Sequence, residues 1–577
     1  MKSFWPLVIV VVFAILASHT LLFQKGYFVM HDDLQMMRQL EMEKCFLDGQ
    51  IPCRWVPDMG YGFGFPLFNF YPPLPYLVGE IFRVFGFSFV NTVKIVFALS
   101  IIASGLAMYL LAKTFFGRLG GILSAVFYIW APYHAVDVYV RGAMNEAWAL
   151  AWFPLILWAS YKLIHHKLML RSDSSEGGFK WIIGLSLSWV ALLLSHNLMA
   201  MIFAPVFAGW CLLWLWRQKA WKKIPHLIAS GILALGLSAF FTIPAILEQK
   251  LVHVDTLTAG YYEYIAHFVN LNQLLISRFW GYGPSVWAEA DGMSFQIGHL
   301  HWILSIAIIA LWLYGYITRK KKDFIIPFFV AVGWLSAFMT HSRSTFLWQM
   351  IPVLKFVQFP WRFLTLSTLC FSFVVGAIVL LLPKKVSKLI SLGLVLGLVL
   401  FNWNYFLPLG SRMGALTDEE KFFGAAWDLQ RTAGIYDYLP KSAKENPKEG
   451  QKILAEVMEG KASVTNEQQG TNWAEFKTIV NNPSAVVRIN IFDFPNWRAY
   501  IDEKEVEISI PDSEKWGRMY INIPEGSHEV YLKLFNTPVR TVSNLVSLVS
   551  WVLLPLLASR KMVKLVSGRI WNRGSKA

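Results

Sequence analysis

His31-Asp32-Asp33, followed by Arg38, stands just past the first long apolar run of the chain, Phe4 to Phe23. Ionisable side chains at the edge of a membrane span are costly and mark functional sites by default. If that run crosses from inside to outside, the acidic pair opens the first external loop at the level of the lipid headgroups, where chemistry on a lipid-borne substrate would take place. Two adjacent carboxylates do not titrate independently, so the pair can share a proton. Arg38 has the wrong angular offset for a local helix pair with either acid, which leaves it to face a ligand unless Glu41 pairs with it. A second polar group, Asp137, Tyr139, Arg141, Asn145 and Glu146, precedes another apolar stretch, with Glu146 suited to the first turn of the helix that follows. His196-Asn197 lies in a turn between two apolar runs, and Gln358-Phe359-Pro360-Trp361-Arg362-Phe363 brings another cation to headgroup depth.

Each of these has a plain structural alternative. From Asp32 to Leu47 the apolar residues Leu34, Met37 and Leu40 recur at helical spacing, and Asp48-Gly49 with Pro52 is a stop signal. Asp32 then reads as an N-cap, with Gln35 completing a capping box; Asp33 is left over in that reading. The stretch from Arg54-Trp55 through Gly60-Tyr61-Gly62-Phe63-Gly64 to Tyr71-Pro72-Pro73 combines tight turns with flat faces, suited either to a groove for a sugar ring or isoprenoid chain or to an interfacial aromatic belt. It is not a phosphate loop, because its glycines follow no strand and open no long helix.

The elements that must hold these residues are membrane helices. The chain has 577 residues, of which 55% are hydrophobic, 16% aromatic and 15% charged, with a mean hydropathy of +0.45, which marks a polytopic membrane protein. Runs able to span, or nearly so, fall at about 4–23, 91–112, 118–131, 147–164, 180–198, 199–216, 225–247, 299–318, 324–341, 363–382, 386–407 and 541–559. Alternating the loops gathers Lys113/Arg118, Lys162/Lys167/Arg171, Arg217/Lys219/Lys222/Lys223, Arg319 to Lys322, Lys384/Lys385/Lys388 and the tail Arg560/Lys561/Lys564 on one face, which must be cytoplasmic. Both termini are then inside, and the first run reads as an uncleaved helix rather than a signal peptide.

The outer face receives 24–90, 132–146, 195–197, 248–298, 341–362 and a polar segment of about 408–540, so every candidate for chemistry lies there. The sequence thus divides into a transmembrane domain (1–407), an external soluble domain (408–540), a last transmembrane helix (541–559) and a basic cytoplasmic tail (560–577). Within the external domain Lys441 to Gly470 reads as polar and mobile, and short β runs from about 475 suggest a small β-sandwich with a turn at Pro524-Glu525-Gly526. The net charge of +15 is accounted for by cytoplasmic loops, and no basic stripe interleaved with aromatics argues for nucleic acid. The four cysteines form no zinc spacing; Cys211 and Cys370 read as packing residues, and Cys45 and Cys53 as a disulfide in an oxidising compartment or as two unrelated thiols. No repeat of solenoid or transporter scale is visible. Ionisable residues are nearly absent from mid-membrane positions, against an ion-coupled transporter.

With those residues in view, the acidic pair after the first helix, the large first external loop, the many helices and the external C-terminal domain resemble the GT-C superfamily of glycosyltransferases. More narrowly, His31-Asp32-Asp33 with Arg38, Pro52-x-Arg54-Trp55, Phe68-x-Phe70-Tyr71-Pro72-Pro73, Tyr139-x-Arg141-Gly142 with Glu146, Ser195-His196-Asn197 and Gln358 to Phe363 resemble the bacterial multi-pass membrane family called "6-pyruvoyl-tetrahydropterin synthase related". Nothing in the sequence suggests pterin chemistry. The resemblance covers nearly the whole chain, Lys441 to Gly470 excepted. It implies a GT-C-like α-helical membrane body of about twelve helices with a small β-sandwich-like external domain before the last helix, in the plasma (inner) membrane. It implies transfer of a sugar from a polyprenyl-phosphate donor to a hydroxyl of an envelope glycan, lipid or protein, with inversion, Asp32 or Asp33 acting as general base. His31, Arg38, Arg54, Tyr71, Arg141, Glu146, His196, Asn197 and Arg362 would bind substrate, arginines matching the phosphate oxygens. The second loop has no Asp-x-Asp signature, so Mg or Mn stays open as a cofactor and no metal ligand is assigned. The alternative is a non-catalytic lipid or polysaccharide flippase or assembly protein whose rim charges only hold headgroups.

Overall fold

The computed structural model describes residues 4–166, 175–288, 290–319, 324–435 and 437–558. Within a bilayer an apolar segment must satisfy every backbone N–H and C=O internally, which a helix does, and the apolar runs fold accordingly. They form α1 (Trp5–Ala17) and α2 (His19–Phe23), then, after the less apolar helices α3 (Gln35–Leu47) and α4 (Leu74–Val84), α5 (Phe89–Ile129), α6 (Met144–His165), α7 (Ser175–Leu193), α8 (Asn197–Arg217) and α9 (Ile224–Leu247). The second half of the body adds α10 (His299–Arg319), α11 (Ile325–Met339), α12 (Thr345–Met350), α13 (Leu364–Val375) and α14 (Lys384–Asn402). In the external segment α15 (Gly424–Thr432) follows, and α16 (Pro538–Ala558) ends the described chain. Lys167, Arg171, Lys320, Lys321, Lys322 and the tail 560–577 lie outside the described residues.

Among the described residues eight helices are long and apolar enough to cross a membrane, or nine if Ile325–Met339 and Ser342–Met350, bent by 96°, form one span. The difference from the twelve expected runs has a local cause. α5 is hydrogen-bonded as one 41-residue helix but holds two of the runs, separated at Gly117, whose φ of 72° and ψ of −173° break the path; Trp5–Ala17 and Phe179–Leu193 are apolar but shorter. α5 packs against α1, α6 and α13. Its start is capped twice, by Ser88, whose side chain accepts from Asn91 N, and by Asp418 of the external segment, whose carboxylate accepts from Phe89 N and Val90 N at 2.7 and 2.9 Å.

The external strands begin earlier than the sequence suggested. β1 (Ala455–Glu459) and β2 (Ala462–Gln469) precede β3 (Trp473–Phe492), β4 (Trp497–Ile501), β5 (Lys504–Val506) and β6 (Arg518–Leu534). Lys441 to Gly470 is therefore no polar linker: both first strands pair with β3, their exposed polar residues disguising them. All six strands belong to one antiparallel sheet in the order β1-β3-β6-β4-β5, β2 joining beside β3, where a sandwich was expected. The expected turn at Pro524-Glu525-Gly526 is absent because β6 runs straight through it. The register shifts on β3 between Val480 and Ser484 instead, a bulge that bends the long ribbon without reversing it.

The glycine- and aromatic-rich stretch joins sheet to membrane body. Trp55, Phe63, Phe65 and Phe68 are buried, Trp55 against Phe494 and Trp497 at ring separations of 5.5 and 6.0 Å and Phe63 against Phe492 at 5.5 Å. This is neither a membrane belt nor, for most of its length, a groove lining. Cys45 and Cys53 are bonded as a disulfide, pinning the end of α3 to the start of that stretch.

A buried polar network fastens the last helix. Glu248 at the end of α9 accepts from Arg540 Nε at 2.8 Å and from Asn69 Nδ2 at 2.9 Å, both partners of the ion pair being almost fully buried. Arg54 donates to Asn69 Oδ1 at 3.1 Å, Phe240 O at 2.8 Å and Asn544 Oδ1 at 2.6 Å. Removing one partner of a buried pair strands the other charge, at a cost of about 3–5 kcal/mol. Glu248→Ala is therefore expected to lower the thermal unfolding midpoint in detergent, and adding Arg540→Met to recover part of the loss; an unchanged midpoint in the single variant would contradict the network's role.

Candidate functional site

The polar end of the site is assembled by α3, the turn before it, and the two external helix entrances. Asp32 does not cap α3: the helix starts at Gln35, Leu34 occupies the cap position without a side-chain bond, and Gln35 Nε2 donates to Asp32 Oδ2 at 3.0 Å. Arg38 is not left free either. Asp32 lies in non-helical chain before α3, so the helical offset does not apply, and Arg38 Nη1 donates to Asp32 Oδ2 at 2.7 Å and to Tyr71 OH at 3.1 Å. Its guanidinium carbon sits 4.3 Å from the Tyr71 ring centre. Glu41, the other candidate partner, lies beside Asp58 and Lys44 instead. The Asp32 side chain keeps 34% of its exposure, and its Oδ1 accepts no hydrogen bond from the described residues.

A second charged group faces it. Arg141 Nη2 contacts Glu146 Oε2 at 2.8 Å and Nη1 pairs with Asp137; Tyr133 OH donates to Glu146 Oε1 at 2.7 Å. Arg362 Nε stands 3.5 Å from the same Glu146 oxygen, while its Nη1 donates to Val357 O and Gln358 Oε1 at 2.8 and 2.9 Å. Trp361 lies under Arg141, 4.4 Å from ring centre to guanidinium carbon, a cation–π contact that adds to its two carboxylate partners. Asn145 ties the neighbouring turns together, donating to Pro72 O and Ser195 O at 2.8 Å each. His196 caps α8 through Nδ1. Burial, with the Arg362 charge beside it, pushes the His196 imidazole down to about 3, so it stays neutral and can accept as well as donate.

Of the residues given a catalytic or substrate-binding role from the sequence, all but Arg54 line one cavity of about 1470 Å³: His31, Asp32, Asp33, Arg38, Tyr71, Arg141, Glu146, His196, Asn197 and Arg362; Asp137 and Tyr139 of the second polar group are buried behind it. Arg54 is a structural residue of the network at α9 and α16. The sequence pointed to the right loop but could not show that this guanidinium meets two helices distant in the chain. His31 Nε2 donates to Tyr282 O at 2.9 Å, and burial lowers its pKa. Asp33 pairs with Lys421 Nζ at 2.6 Å; burial raises its pKa against the opposing pull of Lys421.

Two groups that sequence reasoning missed come from the external segment. Lys421 and Asp437 both line the cavity. Burial pushes the Asp437 carboxyl up to about 6, Arg38 working against this and Asp32 with it, and Tyr262 hydrogen-bonds to it. No pattern around 408–440 singles these residues out, because they act through long-range packing. The other end of the cavity is apolar. Trp189 and Leu193 of α7, Met201 and Ala204 of α8, Leu235 and Ile246 of α9 and Val353 after α12 line it, and Leu235, Ile246 and Val353 are themselves exposed on the outside of the helices. One cavity thus passes from carboxylates and guanidinium groups to a lipid-facing apolar wall. Among the described residues no group of three or more His, Cys, Asp or Glu is placed to hold a metal ion.

No family model matches the chain. A curated relative, an uncharacterized protein of Lactococcus lactis subsp. cremoris (strain MG1363), is 22% identical over 254 residues, 42% of this chain and 39% of the relative. Among solved structures, the arabinofuranosyltransferase AftD from Mycobacteria is similar at a TM-score of 0.41 with 14% identity, over 70% of this chain and 27% of that one. The archaeal oligosaccharyltransferase AglB from Archaeoglobus fulgidus, in complex with an inhibitory peptide and a dolichol-phosphate, is similar at 0.41 with 12% identity, over 78% and 61%. ArnT from Cupriavidus metallidurans bound to undecaprenyl phosphate gives 0.33 with 12% identity, over 66% and 79%. The chain spans less than two thirds of the length of the curated relative and of the first two structures. Scores this low assign neither fold nor activity.

The raised Asp437 carboxyl makes stability depend on pH with a definite sign. Between its ordinary value of 3.8 and about 6 the folded protein holds a proton that the unfolded chain has released, so this group's contribution to stability falls as pH rises through that window. Asp437→Asn is expected to raise the unfolding midpoint relative to wild type more at pH 7 than at pH 4.5. Equal differences at the two values would mean that Asp437 titrates like an exposed acid.

Proposed function

We propose that the protein is a membrane glycosyltransferase of the GT-C type, moving a sugar from a polyprenyl-phosphate donor to an acceptor hydroxyl on an envelope glycan, lipid or protein. The observation that carries this reading is the single cavity whose polar end holds Asp32 beside two arginine-rich walls and whose apolar end opens toward lipid. A sugar on a phosphate with a long hydrocarbon tail is the substrate class that needs all three surfaces at once. The narrower placement in the "6-pyruvoyl-tetrahydropterin synthase related" membrane family belongs to the same proposal, as do the plasma (inner) membrane location, the cytoplasmic termini and the external active site.

The chemistry follows from the pairing. Arg38 and Gln35 hold Asp32 Oδ2, fixing the carboxylate while Oδ1 takes the proton of the acceptor hydroxyl. The acceptor oxygen attacks the anomeric carbon from the side opposite the phosphate, the carbon–oxygen bond to phosphate breaks, and the electron pair leaves with the phosphate. Arg141 and Arg362, which share Glu146, meet that developing charge; a guanidinium matches phosphate oxygens in a two-point contact. An anionic leaving group held this way needs no proton. Asp33, drawn to Lys421, is a wall residue in this scheme, and Asp437 with Tyr262 borders the acceptor side.

Loss of a positioned general base costs about 10²–10⁴ in rate. Asp32→Asn is expected to lower kcat for transfer from a polyprenyl-phosphate sugar by at least the lower figure with little change in KM, while Arg362→Ala mainly raises KM for the donor. Activity of Asp32→Asn within a few-fold of wild type would overturn the base assignment. Wild-type protein that moves or binds the lipid in vesicles without any transfer would favour the non-catalytic flippase or assembly role.

A further inference from the structure

A second cavity, of about 660 Å³, lies between the first external loop and the sheet, away from the lipid-facing helices, lined among others by Lys44, Asp58, Arg431, Gln451, Gln469 and Trp473. We propose that it binds a neutral oligosaccharide, and that the stretch of sugar held there belongs to the acceptor. The first half stands on this cavity alone; the second rests on the transferase reading above.

The walls argue for a neutral polyol. Lys44 is paired with Asp58. Asp48 is consumed by Thr471, whose N and Oγ1 both donate to Oδ2 at 2.6 Å, and by Trp473 Nε1, which donates to Oδ1 at 2.9 Å. Arg431 is held by Tyr61 O at 3.3 Å and by Asp428 at 3.9 Å. The charges cancel within the wall, so a bound anion would find no surplus cation and a bound cation no surplus acid. Gln451 Nε2 donates to Gln469 Oε1 at 3.1 Å, which leaves the Gln469 amide nitrogen to donate, and exposed Gln468 lies beside it. Fixed amides, screened charges and an indole suit sugar hydroxyls and the apolar face of a pyranose ring.

The cavity is also shaped by two positions that accept no side chain. A Cβ on Gly62, whose φ is +81°, would lie 2.0 Å from Arg431 Nη2, and one on Gly470 would lie 2.1 Å from Trp473 Nε1 and 2.7 Å from Asp48 Oδ2. Glycine at both lets the guanidinium and the indole lie against the backbone. The site adjoins the first cavity through a single helix: Leu429 and Gln430 of α15 line the reaction cavity and Arg431 lines this one. A helix is about 10–12 Å across with its side chains, a span that a few sugar residues bridge. A glycan chain fits that arrangement better than a lone lipid or a small alcohol, which would not reach.

The test uses the full chain in lipid nanodiscs, free of sugar-headed detergent, titrated with neutral gluco-, manno- and galacto-hexaoses and their sulfated forms. At least one neutral hexaose is expected to bind, its sulfated form no more tightly. Gln468→Ala with Gln469→Ala, and separately Gln468→Ala alone at an exposed position, should weaken binding, the pair by tenfold or more, and Asp32→Asn should bind as wild type does. No binding at millimolar sugar, preference for the sulfated forms, or loss of binding in Asp32→Asn but not in the glutamine variants would overturn the proposal. Hexaose binding that follows these expectations in a protein with no transferase activity would leave the site standing and sink the transferase reading. If transfer occurs, the glutamine pair should raise KM for the glycan acceptor and leave kcat within a few-fold; a kcat loss with unchanged KM would overturn the acceptor assignment.

Discussion

A charge withdrawn from water must keep a partner, and at the outer rim of this membrane body that requirement organises the molecule. The cost of an isolated buried ion is several kcal/mol even after relaxation, and several acids at the rim are found against cations contributed by distant parts of the chain. Asp33 reaches Lys421, Glu146 takes both Arg141 and Arg362, and Glu248 takes Arg540. The Asp32–Arg38, Asp137–Arg141 and Glu146–Arg141 pairs are local. Pairing of this kind adds little net stability, but it allows few alternative arrangements, since every slip of one helix leaves two charges unmatched. The cavity keeps its shape for the same reason.

How much of this was legible in the sequence follows from the range of each interaction. Apolar runs and helix ends are local, so eight or nine of the expected spans could be read among the described residues, and the break at Gly117 falls between two of the expected runs although hydrogen bonding bridges it. Charged residues beside apolar runs are also local signals, and Asp32, Arg141, Glu146 and Arg362 were found by them. How they pair was not visible, because a sequence shows spacing along one helix and not the meeting of helices. Arg38 was judged by a helical offset to an acid that stands outside the helix. Arg54 sat in a stretch full of site residues and turned out to bridge α9 and α16. Asp437 carries no local signal at all; only burial beside Asp32 and Tyr262 distinguishes it.

The sheet shows the complementary failure. β2 exposes most of its residues and reads as linker by composition, yet its backbone is paired along β3. In β6 a proline and a glycine mimic a turn, while the opposing strand absorbs the irregularity as a bulge. Both cases follow from one property of sheets: the ladder is held by backbone groups that a side-chain pattern does not report. The aromatic residues from Trp55 to Phe68 were informative about packing and misleading about exposure, since the partners of Trp55 and Phe63, namely Phe492, Phe494 and Trp497, lie in β3, β4 and the turn between them.

The cavity walls are drawn from residues as far apart in the chain as His31 and Tyr438, and this sets a timetable for synthesis. At roughly 5–20 residues per second, Asp32 emerges on the order of tens of seconds before Asp437, and α16, which anchors Arg54, later still. During that interval Asp33 and Glu248 stand without their partners Lys421 and Arg540. The cavity has all its walls only once Tyr438 has been made, and a product truncated before that point would carry the acids but no closed cavity.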